Sequence, residues 1–192
     1  MSQRRIPISA YFQKHTSISD AELAEIEPYF LSKEFKKGEF ILQAGEVCNF
    51  MIFVESGCIR LFHITAEGEE FTRYFGFEGK FGTALSSMIS GEPSFEFIQS
   101  LEPTRAKLIS KTDFYSLVDS HPAVNKVYRG ILEMAYTTSQ RRIYNLQGES
   151  ALDRLKWLMK YQPGILARLS SKVIASYIGV TPFTLSRLKS EL

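Results

Sequence analysis

The sequence predicts an α+β fold: an antiparallel β-roll, then one long helix, then a pair of short helices. Three observations predict it. Residues 35–109 hold short aromatic and β-branched runs separated by glycines, residues 122–146 carry one apolar stripe at helical spacing, and residues 170–190 fit two helices joined by a glycine. A chain of 192 residues can bury one substantial core and a smaller one, so we expect more than one domain.

A short helix is expected first, between residues 18 and 30. Ser19 or Asp20 can cap it, and Glu22 and Glu25 lie early in the helix, where its dipole favours anions. We expect this helix to pack on the strands that follow.

The predicted strands include residues 50–54, 59–62 and 71–75. Because glycine turns separate them, they favour an antiparallel roll or barrel. The aromatic rings of this region can line a pocket for an apolar effector, or they can fill the roll as an ordinary core.

No metal site or catalytic site is indicated. Cys48 and Cys58 fall in predicted strands without metal-ligand spacing, so we expect reduced, structural thiols. His15, His63 and His121 are scattered, and only His63 is expected on a strand. Since phosphate-binding glycine loops and nucleophile motifs are also missing from the sequence, an enzyme is not expected.

One long helix is predicted over residues 122–146, with a length of roughly 37 Å at 1.5 Å per residue. We expect its stripe to meet a second copy of the chain; packing on its own domain is the alternative. The expected dimer face is Val124, Val127, Ile131, Met134 and Thr138. Gly148 then breaks the helix and is the candidate hinge.

The C-terminal residues predict a helix-turn-helix. Ser170 or Ser171 can cap its first helix, Gly179 supplies the turn, and Thr181 can cap a second helix whose first residue is Pro182. Hydroxyls and cations remain on the outer face, which suits a DNA major groove, and Arg187 is the candidate for reading a guanine edge. The expected DNA-binding residues are Ser170, Ser171, Lys172, Thr181, Phe183, Thr184, Ser186, Arg187 and Lys189.

Charge favours the same function. Residues 121–192 hold 11 Lys and Arg against 4 Asp and Glu, whereas residues 1–120 hold 12 against 17. Positive charge beside a candidate recognition helix favours a polyanion, because phosphate contacts release counterions. The alternative is an ordinary helical hairpin with a solvated polar face.

No segment is apolar enough to span a membrane and no signal peptide is evident, so a cytoplasmic protein without a membrane partner is expected.

The residues also resemble a known family. The patterns around Gly38, Gly45 and Gly57, the Gly79-Lys-Phe-Gly82 element and the closing run 101–110, followed by the long helix and the helix-turn-helix, are similar to the Crp/Fnr family of bacterial transcription regulators. The resemblance covers essentially the whole chain. It implies a cyclic-nucleotide-binding-domain-like roll, a double-stranded β-helix, in residues 1–120, a dimerisation helix in 121–147 and a DNA-binding domain in 148–192.

The resemblance is weaker for the ligand. Nucleotide-binding members place a Glu and an Arg on the cyclic nucleotide, where this chain aligns Thr83-Ala84-Leu85 and Ser94-Phe95. Because a neutral side chain does not replace an arginine–phosphate contact, we expect no cyclic nucleotide and no other identified cofactor. The candidate effector pocket is Phe81, Gly82, Thr83, Ala84, Leu85, Ser94, Phe95, Thr137 and Thr138.

The recognition helix also differs from that of the family's cyclic-AMP receptor, since Arg187 alone of its base-reading residues is present and Phe183 stands where a Glu would be. A different operator is therefore expected. The resemblance implies a homodimeric DNA-binding regulator, with duplex DNA, a second copy of the chain and RNA polymerase as candidate partners. The alternative is a ligand-binding or protein-interaction module that does not bind DNA.

Overall fold

The computed structural model describes residues 5–192. The chain forms two compact units: one runs up to His63 and continues over Tyr74–Leu132, and the other comprises Ile64–Arg73 and Glu133–Leu192. This division differs in two respects from the three consecutive domains that the sequence resemblance implies. The boundary falls inside the long helix, and residues 64–73 group with the C-terminal residues.

Within residues 5–192, eight strands form two four-stranded sheets, with orders β1-β8-β3-β6 and β2-β7-β4-β5. The strands are β1 Leu31–Phe35, β2 Phe40–Leu42, β3 Phe50–Ser56, β4 Ile59–Ile64, β5 Glu70–Gly76, β6 Lys80–Gly82, β7 Phe97–Ser100 and β8 Thr104–Ser110. Ile52 on β3 is paired with Leu108 on β8 and with Gly82 on β6, in antiparallel register. The predicted α+β class and antiparallel roll are confirmed.

Two clusters of apolar side chains hold the roll. Residues of both sheets, among them Ile52, Val54, Ile59 and Ile98, form one of them. Alternation along β3 places Met51 and Phe53 on its other face, where they join a second cluster with the helices. Gly57, with φ +100°, is needed in the β3–β4 turn because a Cβ atom there would overlap Thr104.

The helices of the first unit cover this second cluster. They are α1 Ile8–His15, α2 Asp20–Ile26, a 3-10 turn at Glu27–Tyr29, α3 Leu85–Ser90, α4 Lys111–Ser120 and the first part of α5 Pro122–Gly148. The predicted start of α2 is confirmed: the Ser19 hydroxyl accepts a hydrogen bond from Glu22 N, and Glu22 accepts one from Ser19 N. Helices α1, α3 and α4 were not predicted.

The long helix is confirmed, and with 27 residues it is roughly 40 Å long. Its expected dimer face needs correction. Val124, Val127 and Ile131 are only 0%, 4% and 9% exposed within the single chain, because they pack in the core of the first unit. These three side chains are therefore not available to a second copy. Met134 and Thr138, in the other unit, are partly exposed.

Cys48 and Cys58 are both buried thiols that are not joined in a disulfide. Neither lies in a strand, which corrects the sequence prediction: Cys48 lies between β2 and β3, and Cys58 lies in the turn before β4. His63 lies on β4, as expected. Within the described part of the chain no group of His, Cys, Asp or Glu is arranged to hold a metal ion. No helix in residues 5–192 has the length and apolarity needed to cross a bilayer.

Candidate nucleic-acid interface

The C-terminal part of the second unit contains four helices: α6 Ala151–Tyr161, α7 Ile165–Arg168, α8 Ser171–Ile178 and α9 Pro182–Lys189. The predicted caps form. The Ser170 hydroxyl accepts a hydrogen bond from Val173 N at 3.4 Å, and the Thr181 hydroxyl accepts one from Thr184 N at 3.1 Å. Gly179, with φ +72°, ends α8 and reverses the chain. Helices α8 and α9 therefore form the predicted helix-turn-helix.

Buried aliphatic side chains hold this helix pair. Ile174, Ala175 and Ile178 on α8 and Leu185 on α9 are all at most 2% exposed, and both helices contact α6, where Leu155 and Leu158 are equally buried. The apolar side of α9 is thus fixed inward, and this packing determines which of its side chains face outward.

The outer face of α9 contains Phe183, Ser186 and Arg187, which are all exposed. Phe183 is 74% exposed, which is unusual for a ring of its size. Arg187 forms no hydrogen bond or ion pair with another side chain in residues 5–192. The Thr181 and Thr184 hydroxyls are hydrogen-bonded to each other at the helix start, with their oxygen atoms 3.0 Å apart. Phe183, Ser186 and Arg187 are consequently the most accessible of the expected base-contacting residues.

The expected phosphate-contacting residues lie together at the start of α8. Lys189 Nζ donates a hydrogen bond to Ser171 Oγ at 2.9 Å, which joins the end of α9 to the first turn of α8. Lys172 is next along α8, with a side chain that is 70% exposed. The N–H groups of a helix start and nearby ammonium groups are the chemistry that binds phosphate.

Two parts of this unit were missed from the sequence. One is the tip of the β4–β5 hairpin, where Lys172 forms an ion pair with Glu70 at 2.8 Å. The other is Arg142 on α5, whose Nη2 donates to the carbonyl oxygens of Thr72 at 3.2 Å and Tyr177 at 3.3 Å. Its guanidinium carbon also lies 4.1 Å from the centre of the Tyr177 ring. Periodicity and motifs gave no signal for either, since both depend on long-range contacts.

Most of the candidate effector residues in the roll are core. Phe81, Gly82 and Ala84 are buried, and a Cβ atom on Gly82 would meet the Ile59 side chain at 3.0 Å. The Thr83 hydroxyl donates a hydrogen bond to the carbonyl oxygen of Phe50 at 2.9 Å. Leu85, the first residue of α3, is partly exposed.

The remaining candidate effector residues are divided between the two units. Ser94 is buried, with its hydroxyl bonded to the backbone of Glu96, whereas Phe95 is 67% exposed. Phe95 therefore does not line the interior of the roll, which corrects its place in the expected pocket. Thr137 and Thr138 lie on α5 in the second unit, and the Thr137 hydroxyl donates to Glu133 O within its own helix.

Comparison with known proteins supports the same fold. Residues 32–121 match the family model described as cyclic nucleotide-binding domain. No curated protein sequence matches the chain.

Solved structures match over most of the chain. FixK2 from Bradyrhizobium japonicum has a TM-score of 0.73 at 17% identity, over 85% of this chain and 84% of that chain. The c-di-GMP-responsive global regulator CLP of Xanthomonas campestris has a TM-score of 0.72 at 14% identity, over 90% and 91%. A Crp/Fnr family transcriptional regulator from Thermus thermophilus has a TM-score of 0.67 at 19% identity, over 84% and 85%.

These findings define the fold of the chain. Residues 32–121 form a domain of the cyclic nucleotide-binding type, and the chain as a whole has the fold of the Crp/Fnr transcription regulators. The resemblance predicted from the sequence is confirmed at the level of the fold. Two of these structural neighbours are described as a global regulator and as a transcriptional regulator.

Proposed function

We propose that the protein is a DNA-binding transcription regulator that acts as a homodimer. The observation that carries the proposal is the capped α8–α9 pair, whose inner side is buried at Leu185 while Phe183 and Arg187 are exposed on the other side of the recognition helix. A guanidinium group can make a bidentate contact with guanine, and a ring can lie against a thymine methyl group. RNA polymerase is the further partner expected of such a regulator.

Charge and helix termini support DNA as the ligand. The excess of Lys and Arg in residues 121–192 lies in the part of the chain that contains this helix pair. Ser171, Lys172 and Lys189 supply hydroxyl and ammonium groups at the start of α8. Phosphate contacts of this kind position the protein, and the side chains of α9 then read the bases.

The second part of α5 supports a homodimer. Tyr136 and Ile143 are 65% and 52% exposed, and they lie seven residues apart, so they share one helix face. Burying such side chains against a second copy removes apolar surface from water. A dimer would place two recognition helices in successive major grooves about 34 Å apart.

The signal is proposed to be something other than a cyclic nucleotide. The Ser94 hydroxyl is occupied by the backbone of Glu96, and Phe95 cannot bind a phosphate. An effector would act by reorienting the DNA-binding helices, with the end of α5 at Gly148 as the candidate hinge. Calorimetric titration with cyclic AMP and cyclic GMP is expected to give no binding heat, and saturable binding of either would contradict this.

Salt dependence tests DNA binding and separates it from the alternative of a protein-interaction module. Affinity of the full chain for a random-sequence duplex is measured between 50 and 200 mM salt. Phosphate neutralisation predicts a linear fall of log affinity with log salt, with a slope of about −0.9 per phosphate contacted. An absence of binding, or binding that does not depend on salt, would contradict the proposed function.

A further inference from the structure

The tip of the β4–β5 hairpin, residues 64–73, packs on the first helix of the candidate DNA-binding motif. Glu70 pairs with Lys172 at 2.8 Å, and the hydroxyl oxygens of Thr72 and Ser176 lie 2.7 Å apart. Arg142 donates to Thr72 O at 3.2 Å. All of these residues belong to the second unit, and these polar contacts attach the tip to α8 and α5.

The tip also lies near the start of the recognition helix. A cleft of about 390 Å³ is lined on one side by residues 68–71 and on the other by α8, the turn at Gly179, the cap residue Thr181 and Pro182, the first residue of α9. The hairpin therefore borders the two helix starts that the proposed function assigns to DNA.

The charge of the tip opposes DNA binding. It contains Glu67, Glu69 and Glu70 against a single basic residue, Arg73. A carboxylate and a DNA phosphate compete for the same ammonium group, and Lys172 is the group that Glu70 holds. Because the Lys172 side chain is 70% exposed and the Glu70 side chain is 21% exposed, the lysine is accessible to a phosphate once the carboxylate is removed.

We propose that the β4–β5 tip is an autoinhibitory clamp, in which Glu70 holds Lys172 away from the DNA backbone. Release of the tip would give the protein one more phosphate contact in each subunit. An exposed ion pair is weak, so a modest rearrangement suffices to open it. This inference rests on the proposed function and adds a regulatory role for residues 64–73.

The test compares Glu70→Gln with Glu69→Gln in the full chain. Glu69 is the adjacent, exposed carboxylate, so both variants lose the same charge but only the first loses the Lys172 partner. Affinity for a random-sequence duplex is measured across a salt series. One added phosphate contact predicts an affinity for Glu70→Gln about fivefold higher at 0.15 M salt, and a salt slope steeper by about 0.9, for each subunit engaged.

Glu69→Gln is expected to give a much smaller gain, and adding Lys172→Ala to Glu70→Gln should remove the gain. Circular dichroism checks that each variant is folded. Equal affinities of wild type and Glu70→Gln would overturn the clamp, as would an equal gain in Glu69→Gln or a gain that persists without Lys172. Each of these outcomes counts against the clamp only when the wild type itself binds DNA in a salt-dependent manner. If neither the wild type nor any variant bound DNA, the proposed function would itself be overturned.

Discussion

Arg187→Ala tests whether the exposed face of α9 reads DNA sequence. The side chain projects from the helix face opposite the buried Leu185, and it has no side-chain partner within residues 5–192 to lose. The substitution should therefore change stability by no more than about 0.5 kcal/mol. A bidentate contact with guanine is worth about 1–3 kcal/mol of discrimination, which corresponds to about 5- to 150-fold at each half-site.

The assay is competition between a selected duplex and a random duplex, with the affinity ratio as the measured quantity. Lys189→Ala is the control, because Lys189 is the last residue of α9 and donates to Ser171 in the first turn of α8, where the phosphate contacts are expected. It should lower affinity for both duplexes alike and leave their ratio unchanged. If Arg187→Ala kept the wild-type ratio, Arg187 would not be a base-reading residue and the reasoning from the α9 face would be refuted.

Three further predictions concern stability and titration. Leu185→Ala, at a site that is 0% exposed, should destabilise the second unit by about 2–5 kcal/mol in urea unfolding, and a loss below 1 kcal/mol would contradict the packing described. Gly179→Ala should cost about 1–2 kcal/mol in the same assay, because φ is +72° there; an unchanged midpoint would show that the turn does not need glycine. Burial, with the hydrogen bond to Tyr128, raises the pKa of Tyr115 from 10.0 to about 12. Neutral Tyr115 therefore contributes stability that is complete below pH 10 and is lost as the pH rises through about 12. An absorbance titration at 295 nm should show one tyrosine ionising at a higher pH than the others, and this ionisation step should be absent from Tyr115→Phe. If the same step remained in the variant, the assignment to Tyr115 would be refuted.

Local signals predicted much of the fold. The Ser19–Glu22 pair, the Thr181-Pro182 start and Gly179 each fix a helix end through neighbouring atoms, and all three were readable from the sequence. Helices α1, α3 and α4 were not predicted, and they pack in the core of the first unit through buried residues such as Ile8, Met88 and Phe114. The sequence does not show such long-range packing, although the Ser110 cap at the start of α4 is a local signal that was missed.

The candidate site could also be predicted only in part from the sequence. The apolar spacing of Val124, Val127 and Ile131 correctly predicted a helix, but periodicity does not show what covers an apolar face, and these residues pack in their own unit. The Glu70–Lys172 pair joins residues 102 positions apart, and no local pattern indicates such a contact. The side chains exposed on α9 were predictable because the helix period alone places them.

The central claim is that two copies of the α8–α9 pair read DNA together. The most direct measurement is selection of random duplexes by the purified full chain, followed by sequencing of the bound fraction. The account predicts enrichment of an inverted repeat whose half-site centres lie about 10 base pairs, or one helical turn, apart. Enrichment of no sequence, or of a single half-site without a symmetric partner, would contradict it.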